Sequence, residues 1–350
     1  MGVPGNSQDF VDLGRARGRA LWVSEGGTLH VARRHTVLRS EDLGKRWVVD
    51  CVVPAAAWRR AACAPRLLAR LFRHDVQAFV VRRDGSRLAV ARDGVYLARH
   101  GETAMQRVFA FQRGSRPINL SVHPSGRVLF GEYGDNAERR EVHVYASDDG
   151  RHFEVAYTFP AGEIRHVHNL IWDPHLGSYW VLVGDYRHEP GVGLFDADLS
   201  RVTWVLRGTQ HARAVGAIVE PDALIFGTDS ETEPNAIIRL EKATGRTTTL
   251  AAIPGSSLYA ARFGDLRVVS TCVEPSRVNP DRSACVFVSR DGADWRPAAR
   301  YRKDPWSLRY FQFGTVVLPQ AEGRAPVAMF SGQAVAGFDD RVRIVALHAP

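Results

Sequence analysis

The sequence predicts an all-β fold, a β-propeller of four-stranded blades, from its turns and from its apolar runs. Three stretches share Ser, Asp, Gly and a following aromatic residue: Ser40–Trp47 (SEDLGKRW), Ser147–Phe153 (SDDGRHF) and Ser289–Trp295 (SRDGADW). Their aspartates lie 107 and 142 residues apart, close to two and three units of about 50 residues, a spacing found in propeller repeats. Between them, short alternating runs bounded by Gly, Pro and Asp indicate strands.

Each of the three stretches predicts a braced turn between two strands. An Asp carboxylate can accept hydrogen bonds from nearby backbone N–H groups, and Gly accepts a positive φ. The aromatic residue then anchors the next strand in the core. We expect Asp42, Asp149 and Asp291 to lie in exposed turns between third and fourth strands, remote from any ligand.

The apolar runs fall into six quartets followed by a shorter group. The first quartet is ALWVSE, TLHVAR, TVLRS and RWVVDCVV, and the last is LYAARFG, LRVVSTCV, ACVFVS and WRPAARY. The C-terminal stretch gives three strands, which an N-terminal strand near Phe10–Leu13 would complete, closing the ring without an open edge. This count favours seven blades over six, in a single domain covering residues 1–350. PRLLARLF is the one predicted helix.

Composition and charge narrow the classes of partner. The net charge is +8, which suits a basic groove for an anionic ligand. No motif of a nucleic-acid-binding module and no apolar run of 18 residues is present, so neither nucleic acid nor membrane is expected. No signal sequence is seen, and Cys51, Cys63, Cys272 and Cys285 lack paired spacing, which indicates free thiols and a cytoplasmic location. The oligomeric state stays open.

Polar side chains concentrate where inner strands begin and second strands end, around the mouth of a propeller channel. His166 and His168 have period-two spacing, which puts both rings on one side of a strand. With Glu132, Tyr133, Asp229 and His211, they are the candidate catalytic residues. No cofactor is favoured; the alternative is a divalent metal held by His166, His168, Gln210 and His211.

Arginines begin four successive inner strands, and forked guanidinium groups suit recognition of a carboxylate. The equal alternative is that each arginine pairs with a loop carboxylate. The candidate ligand-binding residues are Arg73, His74, Arg116, Arg165, Gln210, Arg213, Asp185 and Glu274.

The three turns resemble the Asp-box of the sialidase-like superfamily, whose usual form is S-x-D-x-G-x-x-W; Ser147–Phe153 and Ser289–Trp295 are one residue shorter than that form. The wider pattern GEY…RHxH…GD…GTQxxR…GTD looks like uncharacterised bacterial Asp-box proteins described as glycosyl hydrolase-like. This resemblance implies a propeller and a carbohydrate-active enzyme that cleaves an anionic glycan, uronate- or sialate-like. The partner would then be an acidic oligo- or polysaccharide.

Three functions are weighed. The channel carboxylates favour a glycoside hydrolase, which needs an acid and a base or nucleophile. The alternative enzyme is a polysaccharide lyase that acts on a uronate by β-elimination, with His or Tyr and with Arg or metal. The third reading is a non-catalytic propeller that binds a glycan or scaffolds another protein. Titratable groups within hydrogen-bond reach around a pocket would favour an enzyme, whereas charged residues splayed into separate salt bridges would favour this third reading.

Overall fold

The computed structural model describes residues 10–112, 116–322 and 325–347. The N-terminal stretch used to predict a cytoplasmic location lies outside these ranges. The first part of the chain forms β1 (Phe10–Arg17), β2 (Arg19–Val23), β3 (Leu29–Arg33), β4 (Thr36–Ser40), β5 (Val48–Val52), α1 (Ala57–Ala62) and α2 (Arg66–Phe72).

The middle of the chain contains three quartets of strands. They are β6 (Ala78–Val81), β7 (Arg87–Ala91), β8 (Gly94–Ala98) and β9 (Gln106–Ala110); β10 (Ser121–Val122), β11 (Val128–Gly131), β12 (Val142–Ser147) and β13 (Glu154–Phe159); and β14 (Val167–Asp173), β15 (Ser178–Val183), β16 (Gly191–Phe195) and β17 (Val202–Arg207).

After a 3-10 helix at Gln210–Ala212, the rest of the chain is again mostly strand. Its elements are β18 (Ala214–Val219), β19 (Ala223–Thr228), β20 (Ala236–Glu241), β21 (Thr247–Ala252), β22 (Ser257–Phe263), β23 (Leu266–Val273), β24 (Ser283–Ser289), β25 (Arg296–Arg302), α3 (Leu308–Phe311), β26 (Gly314–Val317), β27 (Gln320–Ala321), β28 (Val327–Gln333) and β29 (Arg341–Leu347).

The predicted four-stranded blades are confirmed. Four sheets each contain four strands in chain order, β6–β9, β10–β13, β14–β17 and β18–β21, with antiparallel neighbours throughout. A fifth sheet contains β2–β5, with β27 added in parallel beside β2. The chain is therefore an all-β propeller.

The predicted count of seven separate blades, with six as the alternative, is wrong. Five sheets form separate blades, and eight further strands share one continuous sheet. The physical reason is the last residues of β23, where Cys272 pairs with Thr315 and Val273 pairs with Gly314 of β26. These contacts join the quartet β22–β25 to the strands that follow it. A count of apolar runs does not reveal hydrogen bonds between quartets.

The N-terminal and C-terminal strands pair as expected. β1 runs antiparallel to β29, from Phe10 beside Leu347 to Arg17 beside Arg341. The predicted helix PRLLARLF is present as α2, which begins after Pro65 and ends where Arg73 takes the left-handed conformation, with φ of 53°. No helix in the described ranges is long and apolar enough to cross a bilayer.

The core lies between neighbouring blades, where facing apolar residues interdigitate. Trp180 of β15 and Phe226 of β19 are both fully buried and share one cluster, although they belong to different sheets. Because strand side chains alternate between two faces, each blade can bury one face against each neighbour.

The three braced turns have the predicted position and hydrogen bonds. They connect β4 to β5, β12 to β13, and β24 to β25. In the last of these, Asp291 Oδ1 accepts hydrogen bonds from Ser289 Oγ, Ala293 N and Asp294 N, each at 2.9 Å. Gly292 has φ of 79°, which a residue with a Cβ rarely adopts.

We expect Asp291→Ala to lower the free energy of unfolding by about 1 kcal/mol, because three hydrogen bonds to an exposed carboxylate are lost. Backbone hydrogen bonds from Asp294 and Ala293 lower the pKa of Asp291 from its ordinary 3.8. The stabilisation is therefore complete above that value and is lost as the pH falls below it.

Denaturant titration of wild type and variant at neutral and acid pH measures this effect, and the difference should shrink in acid. Asp294→Ala, in the same turn, is the matched control and should leave stability unchanged. A pH-independent difference would assign the effect to the backbone rather than to the carboxylate.

Candidate functional site

The channel opens into a cavity of about 850 Å³ lined mainly by residues at the starts of inner strands and the ends of second strands. A second cavity of about 530 Å³ lies further along the channel. The two share Arg19, Gln77, Ile118, Leu258 and Tyr259. No residue of the three braced turns lines the larger cavity.

Most of the sequence-predicted site residues meet in the larger cavity. The ones that line it are Arg73, Arg116, Tyr133, Arg165, His166, His168, Asp185, Arg213, Asp229 and Glu274. They come from blades far apart in sequence. Their convergence follows from the geometry of a propeller, in which every inner strand begins beside the channel.

Four predicted residues lie elsewhere, and each has a local reason. Glu132 points away from the cavity, because side chains alternate and its neighbour Tyr133 points in; it accepts hydrogen bonds from His143 N and the Tyr145 hydroxyl. Glu132 also lines a separate pocket of about 380 Å³.

The other three residues lie beside irregular segments, where strand periodicity does not apply. His211 is exposed in the 3-10 helix Gln210–Ala212. Gln210 does not line the cavity. Its side-chain amide donates to the backbone oxygen of Asp185 at 3.3 Å. His74 is buried against His35, with ring centroids 5.1 Å apart.

Asp185 is the carboxylate around which four nitrogen-bearing side chains gather. It follows Gly184, whose φ is 78° and at which a Cβ would meet the backbone of Glu189 at 2.4 Å. This turn after β15 directs Asp185 into the channel. Its two oxygens lie 3.0 Å from His168 Nε2, 3.4 Å from His166 Nε2 and 3.5 Å from both Arg165 Nη1 and Arg213 Nη2.

The arginines beside Asp185 are also paired with other carboxylates. Arg165 lies 2.5 Å from Asp135, and Arg213 lies 3.4 Å from both Asp229 and Glu231. This side of the cavity is therefore a network of internal ion pairs. Such a network stabilises the arrangement of the side chains, and its positive and negative charges offset one another.

Burial governs the protonation of the remaining acids. It raises the pKa of Asp229, and the nearby negative charges of Glu274 and Asp185 raise it further, although Arg213 opposes them. Burial and the charge of Glu231 likewise raise the pKa of Glu274. Burial and Asp185 also raise the pKa of Tyr133.

The opposite side of the cavity holds four arginines that have no ion pair with a described carboxylate: Arg19, Arg73, Arg92 and Arg116. We call them the basic quartet. Arg116 donates to the backbone oxygens of Arg73 and Asp75. Burial and the charges of Arg19 and Arg73 lower the pKa of Arg116 to about 10. Arg19 donates to the backbone oxygen of Gln77, the side chain of Gln333 and the hydroxyl of Tyr259. The quartet therefore directs positive charge at the cavity, with Asp75 as an opposing charge in the same lining.

The sequence reading missed two members of this quartet and the aromatic residues around the mouth. Arg19 begins an inner strand and Arg92 follows a second strand, so the rule that found the other arginines would have found them too. Three exposed aromatic side chains also line the cavity: Phe72 at 42%, Phe313 at 39% and Tyr186 at 38%. No periodic pattern marks them, because they lie at the end of α2 and in loops.

Comparisons with solved structures find chains of similar fold, among them a WD40 β-propeller domain. A chain of a structure described as the mitotic checkpoint complex aligns with a TM-score of 0.60 and 12% identity, over all of this chain and 94% of that one. The WD40 β-propeller domain of Doa1 aligns with a TM-score of 0.59 and 12% identity, over 97% and 98%. U3-55K aligns with a TM-score of 0.59 and 9% identity, over 98% and 100%.

At these identities the likeness concerns the fold alone. No protein-family model matches the sequence, and no curated protein matches it significantly. The class that the fold and the channel site define is thus a β-propeller with a charged channel mouth.

These comparisons correct the expected membership of the sialidase-like superfamily, because the structures that align are WD40 propellers. The Ser-Asp-Gly-aromatic turns are present, but their role is to connect two strands, and a turn of this kind does not define a family. The expected glycoside hydrolase or lyase, and its acidic glycan substrate, are overturned with it. Of the four arginines expected to begin inner strands, Arg165 and Arg213 pair with carboxylates, whereas Arg73 and Arg116 form no ion pair with a described carboxylate.

Proposed function

We propose that this protein is a non-catalytic interaction propeller that binds an acidic segment of a partner protein at the channel mouth. The observation that supports the proposal is the basic quartet, whose guanidinium groups face the cavity without carboxylate partners among the described residues. Carboxylates of a bound segment would supply those partners through charge-assisted, often bidentate hydrogen bonds.

The aromatic residues at the mouth supply the apolar part of such an interface. Phe72 and Phe313 lie beside the cavity, and Tyr186 lies within 5.6 Å of the guanidinium carbons of Arg165 and Arg213. Nearby, Trp306 and Tyr310 are 47% and 54% exposed. Tyr, Trp, Phe and Arg are the residues in which protein interfaces are enriched. A protein segment can contact both the arginines and the aromatic residues, whereas the arginines alone would bind any anion.

We also propose that residues 1–350 form one domain whose ring closes at the paired termini. The pairing of β1 with β29 supports this, as does the parallel contact of β27 with β2. Four buried cysteines without disulfides support a reducing compartment such as the cytoplasm.

Selection of a displayed random peptide library against the wild-type protein tests the proposed partner. We expect peptides enriched in Asp and Glu with at least one aromatic residue. Fluorescence polarisation should then show that Arg73→Gln/Arg92→Gln weakens binding of these peptides by about 10-fold or more. Each exposed charge pair contributes up to about 1 kcal/mol, and a change of 1.4 kcal/mol is tenfold.

Both arginines are exposed, so the double variant should fold normally. Arg151→Gln/Arg201→Gln removes the same charge from exposed turns outside the cavity and should leave the affinity unchanged. Peptides without acidic enrichment, or equal binding by the two double variants, would overturn the proposal. Displacement of the peptides by an oligouridylate at lower concentration would point to nucleic acid instead.

A further inference from the structure

The side chains of His166, His168 and Asp185 form a compact group at the wall of the cavity. All three are nearly buried, with exposures of 6%, 3% and 7%. One ligand atom of each lies within 4.8 Å of the others. The two imidazole ring centroids are 4.9 Å apart. Period-two spacing at the start of β14 brings the rings to the same side, and the turn after β15 brings the carboxylate to them.

Hydrogen bonds to backbone carbonyls define which nitrogen of each ring carries a proton. His166 Nδ1 lies 2.8 Å from the oxygen of Gly134, and His168 Nδ1 lies 2.8 Å from the oxygen of Ala214. A carbonyl oxygen can only accept, so both Nδ1 atoms donate. Histidines that bind a metal through Nε2 commonly hold their other N–H in this way.

The two Nε2 atoms then face the same carboxylate. In the neutral rings each Nε2 bears a lone pair, and a carboxylate oxygen at 3.0 or 3.4 Å repels it unless a positive group lies between them. His166 Nε2 is buried and has no aligned hydrogen bond. His168 Nε2, by contrast, is aligned with Asp185 Oδ1 as a protonated ring would be, so only the pair of His166 and Asp185 lacks hydrogen-bond geometry.

We propose that His166, His168 and Asp185 bind one divalent transition-metal ion of the Zn²⁺ class. Two ligand atoms that each lie about 2.0–2.1 Å from a tetrahedral zinc ion are about 3.3 Å apart. The observed separations, 3.4 Å from His166 Nε2 to Oδ2 and 3.0 Å from His168 Nε2 to Oδ1, are close to this edge, and they involve the two different oxygens of Asp185. Three protein ligands leave at least one position open, and that position faces the cavity.

The neighbouring charges are compatible with a cation. Arg165 and Arg213 lie 3.5 Å from Asp185, yet Asp135 offsets the first, and Asp229 and Glu231 surround the second. Hydrogen-bonding groups around a ligating carboxylate orient it, as outer partners do at other metal sites.

The donor set also selects among metals. Two imidazole nitrogens and one carboxylate oxygen suit Zn²⁺, Co²⁺ or Fe²⁺, whereas Mg²⁺ and Ca²⁺ prefer oxygen ligands alone. The site is independent of the acidic-segment proposal, because it involves none of the basic quartet.

Calorimetric titration of chelator-treated protein with Zn²⁺ tests the site, with Mg²⁺ as the negative probe. We expect one Zn²⁺ per chain and no binding of Mg²⁺. Co²⁺ should give the visible absorption of a four- or five-coordinate site. His168→Asn and His166→Asn keep an N–H near the position of Nδ1 but remove Nε2. Each should weaken Zn²⁺ binding by more than about 100-fold, since even the loss of an outer partner weakens metal binding 10–100-fold.

The matched control is His152→Asn, because His152 Nδ1 lies 2.6 Å from Asp149 in an exposed histidine–carboxylate pair. That variant should bind Zn²⁺ as wild type does. Asp185→Asn tests the third ligand should either histidine variant fail to fold. Wild-type protein that binds no Zn²⁺ stoichiometrically overturns the proposal, as does equal binding by the histidine variants.

Discussion

Lys242→Met is expected to lower the free energy of unfolding by about 3–5 kcal/mol, because it leaves a buried carboxylate without its partner. Lys242 Nζ lies 2.5 Å from Asp173 Oδ2, and the two side chains are 6% and 0% exposed. The pair links the first turn of the β14–β17 blade to the last turn of the next blade, β18–β21. Asp173 also accepts a hydrogen bond from Trp180 Nε1 at 2.8 Å.

The pKa of Asp173 supports this expectation. Burial alone would raise it, but the ion pair with Lys242 and the hydrogen bond from Trp180 lower it below the ordinary 3.8. Asp173 is therefore ionised in the folded protein at neutral pH. Without Lys242 the burial penalty is opposed only by hydrogen bonds from Trp180 Nε1 and the backbone N–H groups of His175 and Leu176. The variant should therefore recover part of its stability as the pH falls and the carboxyl group takes up a proton.

Denaturant titration of three variants separates the pair from the packing of the lysine stem. Asp173→Asn/Lys242→Met removes both charges and should be more stable than Lys242→Met alone. Arg246→Met breaks an exposed pair with Glu241 in the same turn and should have almost no effect. A double variant as unstable as the single one would mean that the loss of stability comes from the packing of the Lys242 methylene groups and not from the unpaired charge of Asp173.

The local parts of the fold were predictable from the sequence because short-range chemistry determines them. Asp291 and Gly292 predict a turn whatever surrounds them, and the alternation of apolar residues predicts the strands. The helix at PRLLARLF was predictable for the same reason. α1 and α3 were not, since helices of six and four residues leave no periodic pattern.

The relations between blades were not predictable in this way. Nothing in the residues around Cys272 shows that it pairs with Thr315, because that pairing depends on how two quartets approach each other. The candidate site was predictable where strands are regular, as at His166, His168 and Arg213. The site prediction was wrong at His211, which lies in a 3-10 helix, and at Glu132, which points away from the cavity because side chains alternate along the strand.

The predictions of the family and of its activity were wrong for another reason. The Ser-Asp-Gly-aromatic turns indicate how two strands connect, and that solution recurs without any given chemistry. Positions at the channel mouth gave more information, because every propeller brings them together.

Arg70→Met should loosen both helical segments at the channel mouth by about 1–3 kcal/mol, because the Phe311 backbone oxygen loses its donor, whereas Asp304 keeps Lys303 and Asp339 keeps Arg66 as cationic partners. Arg70 of α2 is 1% exposed, and its guanidinium lies 2.5 Å from Asp304 and 3.4 Å from Asp339. It also donates to the backbone oxygen of Phe311 in α3. No other described side chain bonds to both Asp304 and Phe311, so this one arginine holds α2 and α3 together.

Hydrogen exchange measured by mass spectrometry distinguishes this local release from global unfolding. Amides of α2 and α3 should lose protection in the variant, while those of β14–β17 should keep it. Arg309→Met, on the exposed face of α3, is the control and should exchange as wild type does.

The same variant connects the fold to the proposed partner. α2 ends at Phe72 and Arg73, and Phe313 follows α3, so Arg70 positions parts of both the aromatic rim and the basic quartet. Acidic peptides selected on the wild-type protein should therefore bind Arg70→Met less tightly, although Arg70 does not line the cavity. Unchanged peptide affinity together with lost protection of α2 would show that the segment binds without these helices, and would place the interface on the remaining arginines.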